Sequence, residues 1–210
     1  MEASPKQYLI AKTPLLRGSV LSIGCGRGAD ELHLARMGLD VLATDVDPEK
    51  LEMVASIAEQ EGLDNLKTLR LNIAAKANID QTFDAIYSGF LLHLIPIDKI
   101  KEVVVANLLS LLEPDGVMVM VYRLIAPSRF RNRFQVTGFY DDGVEILDVE
   151  EKTKGCLSII DRSRFREIFG DRFVIEDITE YTEPAYNRMS DDMISEAVGA
   201  TLRPALKYDR

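Results

Sequence analysis

"VLSIGCGRGA", Val20 to Ala29, is the stretch on which the reading of this chain turns. A short apolar run, Val20 to Ile23, is followed by glycines at every second position, Gly24, Gly26 and Gly28. Glycines between a strand and a helix let the backbone turn sharply and let a ligand approach where a Cβ would collide. Three readings are open at this point. The glycines could make a tight turn and nothing more. Alternatively, Gly24, Gly26 and Ala29 satisfy the dinucleotide pattern G-x-G-x-x-G/A, and Asp45 lies about 20 residues on, where a carboxylate takes a ribose hydroxyl. That is the reading of an NAD(P)-dependent oxidoreductase. The third reading follows from charge: Asp30 and Glu31 open the next helix, where they would repel a pyrophosphate but suit a ligand carrying a sulfonium and an ammonium.

Outward from the glycines, strands and helices alternate. Ser19 to Ile23 is a strand, and Ala29 to Met37 a helix with Leu32, Leu34 and Ala35 inward, stopped by Gly38. Asp40 to Thr44 is the next strand. Asp47-Pro48 opens a helix to about Glu61, with Leu51, Val54, Ala55 and Ala58 on one face and Gly62 as its stop. Leu66 to Leu71 and Phe83 to Ser88 read as strands, Asp98 to Leu112 as a helix and Gly116 to Leu124 as a strand. This alternation predicts an α/β fold with right-handed crossovers and a parallel sheet covered on both faces. Upstream, Ser4-Pro5 can cap a short helix to about Lys12.

After Leu124 the alternation loosens. Arg123, Arg129, Arg131 and Arg133 lie beside Phe130, Phe134, Phe139 and Tyr140, and a hairpin is expected from Val144 to Ile160. Ser163 caps a short helix to Phe169, and Phe173 to Thr179 alternates as a strand. In 193–202, Ser190, Asp191 and Asp192 could start a helix, but Ile194, Val198, Ala200 and Leu202 favour a final strand.

Composition agrees with one folded domain over 1–210. A chain of 210 residues is expected to bury roughly 70% of the surface its unfolded form exposes. The two cysteines, Cys25 and Cys156, are too few for a disulfide framework and have no zinc-site spacing, so a reducing cytoplasm is the expected compartment and no metal is expected. A basic-then-apolar leader is not evident, and no apolar run reaches the roughly 20 residues that span a membrane. The formal charge of −9 repels phosphate backbones, which disfavours nucleic acid as a partner and leaves a small molecule as the expected substrate.

Five segments in order carry a family resemblance: "VLSIGCGRG", "VLATDVDPEKL", "LRLNI", "FDAIYSGFLLHLIP" and "LLEPDGVMVMVYR". Over residues 19–124 the chain resembles class I S-adenosylmethionine-dependent methyltransferases. The resemblance implies a Rossmann-like, doubly wound, mostly parallel seven-stranded sheet. It implies S-adenosylmethionine as cofactor and methyl transfer to a small molecule by in-line displacement, with a catalytically inactive cofactor-binding protein or partner subunit as the alternative. It also implies that Gly24, Gly26 and Gly28 line the methionine part of the cofactor, with Cys25 a cofactor-binding residue of the same loop. Asp45 would accept from both ribose hydroxyls, Val46 and Ile73 would flank the adenine, Asn72 would meet its amino group, and Ser88 would lie near the methyl group. One departure stands out: Ser22 occupies a position where the family commonly has an acid.

The chemistry asks little of the protein beyond positioning, and a general base helps only a protonated acceptor. His93 in "LLHL" is the candidate base, with a structural hydrogen bond at the strand-to-helix corner as its other reading. Cys25 lies among the loop glycines, where small residues are needed, and a nucleophilic role is not expected. Acceptor choice is expected outside the common core, in the N-terminal helix, where Tyr8 lies, and in a substrate-side insertion at 125–162, with 163–210 completing the sheet. "LNIAAKANIDQTFDAI" is similar in layout to the tellurite-resistance methyltransferases, which lie near the thiopurine methyltransferases. That likeness implies a small, soft acceptor.

Overall fold

The computed structural model describes residues 10–124, 134–140, 143–148, 153–158, 160–184 and 194–205. The helix start at Ser4-Pro5, Tyr8, Arg129, Phe130, Arg131, Arg133 and the Ser190–Asp192 start signal lie outside the described residues. For Arg123, Phe134, Phe139 and Tyr140 the description extends to strand position alone.

The parallel half is built from β1 (Ser19–Ile23), α1 (Ala29–Arg36), β2 (Asp40–Asp45), α2 (Pro48–Glu61), β3 (Leu66–Arg70), β4 (Phe83–Gly89) and β5 (Leu112–Leu124). A 3-10 turn at Leu92–Leu94, α3 (Ile97–Lys99), a π-helical Ile100–Val104 and α4 (Val105–Leu111) connect β4 to β5. There follow β6 (Phe134–Tyr140), β7 (Gly143–Asp148), β8 (Thr153–Ser158), α5 (Arg162–Phe169), β9 (Phe173–Pro184) and β10 (Ile194–Pro204). Seven strands form one sheet in the order β3-β2-β1-β4-β5-β10-β9, and β6-β7-β8 form a second, separate sheet. Strands β1 to β5 pair in parallel, while β10 runs antiparallel to both β5 and β9. The chain order reverses between β1 and β4, which opens a crevice at the carboxyl ends of the strands.

Strand periodicity sorts side chains between two cores. Leu21, Ile23, Ile86 and Met118 pack with Ile100, Leu108 and Phe165 on one side of the sheet. Val20, Ala43, Ala85 and Tyr87 pack with Leu32 and Val54 on the other. Each fully buried aliphatic side chain contributes about 1.5–3 kcal/mol. On the first side Tyr122 stacks on Phe165 at 5.4 Å, and Phe165 on Phe169 at 4.5 Å, tying α5 to β5.

Several expectations need correction. The helix does not run to Leu112, nor does the strand wait for Gly116: α4 ends at Leu111 and β5 begins at Leu112. The turn signals Pro114-Asp115-Gly116 mark a bulge inside the pairing, since Leu112 faces Phe83 and Val117 faces Ala85 across a register shift. Ala55 is exposed because the buried stripe of α2 is Leu51, Val54 and Ala58. Asp161, not Ser163, caps α5, accepting from Arg164 N at 2.7 Å. The expected hairpin is realised as β7 and β8, but β6 joins it and makes a three-stranded sheet. Residues 194–204 form the final strand.

Candidate functional site

The glycine loop is held from three sides. Cys25 N donates to Thr44 O at 2.8 Å, extending the β1–β2 pairing beyond the strand, and Gly28 N closes a turn on Cys25 O at 2.9 Å. Gly26 N donates to Asp45 Oδ2 at 2.9 Å, while Asp47 N donates to Asp45 Oδ1 at 3.0 Å. Asp45 is therefore fixed at the end of β2, and each of its oxygens keeps lone-pair capacity for a further donor.

Around this corner lies a cleft of about 490 Å³, within the range of small-molecule sites. Gly24, Cys25, Gly26, Asp45, Val46, Asn72 and Ile73 all line it. Two glycines show opposite uses of a missing side chain. Gly26 has φ +55, and a Cβ there would meet nothing within 4 Å, so the backbone is bared to the cleft. Gly28 has φ +74 and caps α1, and a Cβ there would lie 2.3 Å from Val54 Cγ2. Gly28 thus serves close packing on α2 and does not line the cleft.

Ser88 and His93 also stand apart from the lining. Ser88 is fully buried, and its hydroxyl has no hydrogen-bond partner. It alternates along β4 with Tyr87 and so faces the opposite side of the sheet. His93 is 5% exposed within the Leu92–Leu94 turn, while its neighbours Leu94, Ile95 and Pro96 reach the cleft. The His93 side chain is thus buried and not among the residues that line the cleft. Asn72 Oδ1 already accepts from Ala74 N at 3.0 Å, leaving one lone pair and the amide hydrogens to face the cleft.

Sequence reasoning missed Lys50, Gly89, Phe90 and Leu91 as lining residues. Phe90 has φ 61, outside the usual range for an L residue other than glycine, and its N–H donates to Val121 O at 2.6 Å. Such conformations cost about 1–3 kcal/mol and gather at functional sites. Leu91 was legible only as part of an apolar run, yet it packs against Gly24, where a Cβ would lie 3.0 Å from it.

Asp45 and Lys50 are the charged side chains that line the cleft, with Asp30 and Glu31 on the adjoining helix. Burial pushes the Cys25 thiol up to about 12, helped by Glu31 and Asp45, so it stays protonated and unreactive. Burial also raises the Tyr87 phenol, reinforced by Asp30, whose Oδ2 accepts from Tyr87 at 2.6 Å. Tyr87 and Asp30 line a second cleft of about 340 Å³ with Ile10, Thr13, His33 and Arg36. Gly89, which lines the first cleft, lies close to these groups: a Cβ there would be 3.3 Å from Tyr87 Oη and 3.4 Å from Asp30 Oδ2. Among the described residues no group of three or more potential metal ligands occurs, and no helix is long and apolar enough to cross a membrane.

Comparison with known proteins agrees with this geometry. A family profile described as "Methyltransferase domain" matches residues 20–116. A 2-heptyl-1-hydroxyquinolin-4(1H)-one methyltransferase of Mycobacteroides abscessus is 29% identical over 97 residues, 46% of this chain and 43% of that protein. The probable S-adenosyl-L-methionine-dependent methyltransferase TehB of Haemophilus influenzae is 29% identical over 85 residues, 40% of this chain and 29% of that protein. The chain thus spans less than half the length of these curated relatives. The crystal structure of a S-adenosylmethionine-dependent methyltransferase from Clostridium acetobutylicum superposes with a TM-score of 0.69 at 16% identity, covering 93% of this chain and 89% of that one. Residues 20–116 thus match the methyltransferase-domain profile, and the fold is that of the class I S-adenosylmethionine-dependent methyltransferases.

Proposed function

We propose that this protein binds S-adenosylmethionine in the 490 Å³ cleft and transfers its methyl group to a small-molecule acceptor. The observation that carries the reading is the pairing of a bare Gly26 with the Asp45 carboxylate at the crevice between β1, β2 and β4. That corner leaves room for a ligand backbone and offers two oxygens to a pair of vicinal hydroxyls. The exposed Val46 and buried Ile73 form apolar walls on which a flat base can rest, with Asn72 beside them. Gly24 and Cys25 bound the opposite end, below Leu91. Asp45 and Lys50, the charged residues of the lining, suit a zwitterionic ligand that also carries hydroxyl donors.

When bound, the cofactor supplies a methyl on a sulfonium, open to in-line displacement. The protein's part is to hold the acceptor against it and exclude water. Gly89 and Phe90 line the cofactor cleft at the carboxyl end of β4, and Gly89 lies against the Tyr87 and Asp30 side chains of the second cleft, which makes that side the route for an acceptor. Small-molecule acceptors are supported by the quinolone methyltransferase among the relatives. A reducing cytoplasm fits Cys25 and Cys156, both free thiols.

Titration calorimetry with S-adenosylmethionine and S-adenosylhomocysteine tests this reading: micromolar binding of both is the expected result. Asp45→Ala should weaken both by about 1–3 kcal/mol, because the ribose loses its acceptor and the loop its anchor. Absence of binding, or unchanged affinity in Asp45→Ala, would overturn the assignment.

A further inference from the structure

A buried carboxyl lies beside the glycine loop, outside the lining of the cleft. Glu31, the third residue of α1, is 3% exposed, and Ser22, the fourth residue of β1, is fully buried. Ser22 Oγ donates to Glu31 Oε1 at 2.5 Å. A carboxylate is costly in such a place, and the inward positions beside it on the same helix are Leu32, Leu34 and Ala35. The charged groups acting on it do not relieve that cost. Asp30 from the same helix and Asp45 from the end of β2 both oppose its ionisation. Cys25 of the loop and Tyr87 of β4 are neutral groups that feel its charge, and Lys50 of α2 acts on Cys25.

We propose that Glu31 is a positioning carboxylate for the cofactor: the acid expected on β1 has moved to α1, and Ser22 holds it in nearly the same space. The proposal rests on the reading of the cleft as a S-adenosylmethionine site. The geometry carries it, because a single hydrogen bond separates the Glu31 carboxylate from the Ser22 side chain at the root of the glycine loop. Ser22 and Glu31 thus exchange the roles of hydroxyl and acid across the strand–helix boundary, and the missing strand acid need not mean an inactive protein. A cation above the loop supplies the counter-charge that Glu31 otherwise lacks. Ionised Glu31 therefore favours the sulfonium form of the cofactor over the neutral thioether product.

Linkage gives the sign. Burial pushes Glu31 up to about 7, against the Ser22 hydroxyl, which lowers it. A cationic ligand shifts the group toward ionisation, so binding near neutrality releases a proton and the preference for the sulfonium ligand grows as pH rises. Titration of the ligand's own amino group is common to wild type and variants and cancels in their ratio.

The test is calorimetry on the full chain at acidic, neutral and mildly alkaline pH, in two buffers of different ionisation enthalpy, with S-adenosylmethionine and S-adenosylhomocysteine. At alkaline pH, Glu31→Gln should weaken S-adenosylmethionine about tenfold and the thioether no more than about threefold, and near neutrality it should lose the proton release that wild type shows beyond that of the ligand's own amino group. The difference from wild type should shrink at acidic pH. The exchange variant, Ser22→Asp with Glu31→Ser, should restore the preference. Equal losses for both ligands at every pH, or no loss, would overturn the proposal and leave Glu31 a packing residue. Should Glu31→Gln fail to fold, the wild-type pH dependence of the two-ligand ratio and the proton release decide by themselves. A wild type that binds neither ligand would instead remove the cofactor reading, and the proposal with it.

Discussion

The corner where β1 meets β2 and the small sheet of β6 to β8 build the same cleft by different means. At the corner, consecutive elements of the chain meet: Gly24 to Gly28, Asp45 and Asp47 are held by hydrogen bonds of 2.8–3.0 Å. The small sheet reaches the cleft only through long-range contacts. Ser158 Oγ of β8 donates to Ile95 O at 2.6 Å, and Cys156 Sγ lies 3.4 Å from Leu94 O. Leu94 and Ile95 in turn line the cleft. The corner is set by the pairing of consecutive elements, whereas the far side supports it through the tertiary fold.

The largest expected effect separates the two regions by stability. Phe165→Ala removes a fully buried ring stacked between Tyr122 and Phe169 and should cost about 3–5 kcal/mol in urea unfolding. Cofactor affinity of the folded fraction should stay unchanged. A parallel fall in affinity would show that the corner depends on the distant core.

Within the corner, Gly28→Ala should cost about 2–4 kcal/mol, from positive φ and from the collision with Val54. Gly26→Ala should cost about 1–2 kcal/mol, from φ alone. In calorimetry the order reverses: the Gly26 variant should lose more affinity, since its Cβ points into the cleft. The same order in both measurements would mean that the loop is only a turn.

Proton linkage gives a third contrast. Glu31 has its folded pKa raised from 4.5 to about 7 by burial, so its stabilising contribution is present below about 4.5 and lost as pH rises through 7. Ligand-free wild type should therefore lose up to about 3 kcal/mol relative to Glu31→Gln between acidic and mildly alkaline pH, followed by thermal unfolding. A flat difference would place the carboxyl outside the buried environment described here. The smallest effect belongs to the far side: Ser158→Ala leaves Ile95 O without its side-chain donor and should cost about 1–2 kcal/mol, with cofactor affinity shifting only a fewfold.

Much of the corner was legible because its elements are contiguous. The strand, glycine and helix signals of 19–62, and Asp45 at the close of β2, follow from local backbone demands. Gly28, Ser88 and His93 were read on the same basis, yet they lie away from the cleft lining. Their side-chain directions depend on what packs behind them: Val54 behind Gly28, the opposite sheet face for Ser88, and the buried 3-10 turn for His93. Phe90 carried no signal, since a positive φ at a bulky residue runs against local preference; here it accompanies a hydrogen bond to Val121, distant in sequence. Glu31 was visible as a charge at a helix start, where solvent is the usual surrounding. Only the hydrogen bond to Ser22, across the strand–helix boundary, reveals it as a buried partner.

The sequence alone determined the alternation of strands and helices, the parallel order of the first half and the place of the glycine loop, because periodicity, turns and caps act over a few residues. Only the tertiary structure decided the insertion of β10 between β5 and β9, the docking of the small sheet, and which side chains line the cleft. Those outcomes are long-range pairings, and nothing within a few residues of Ile194 or Ser158 specifies the partner each will meet.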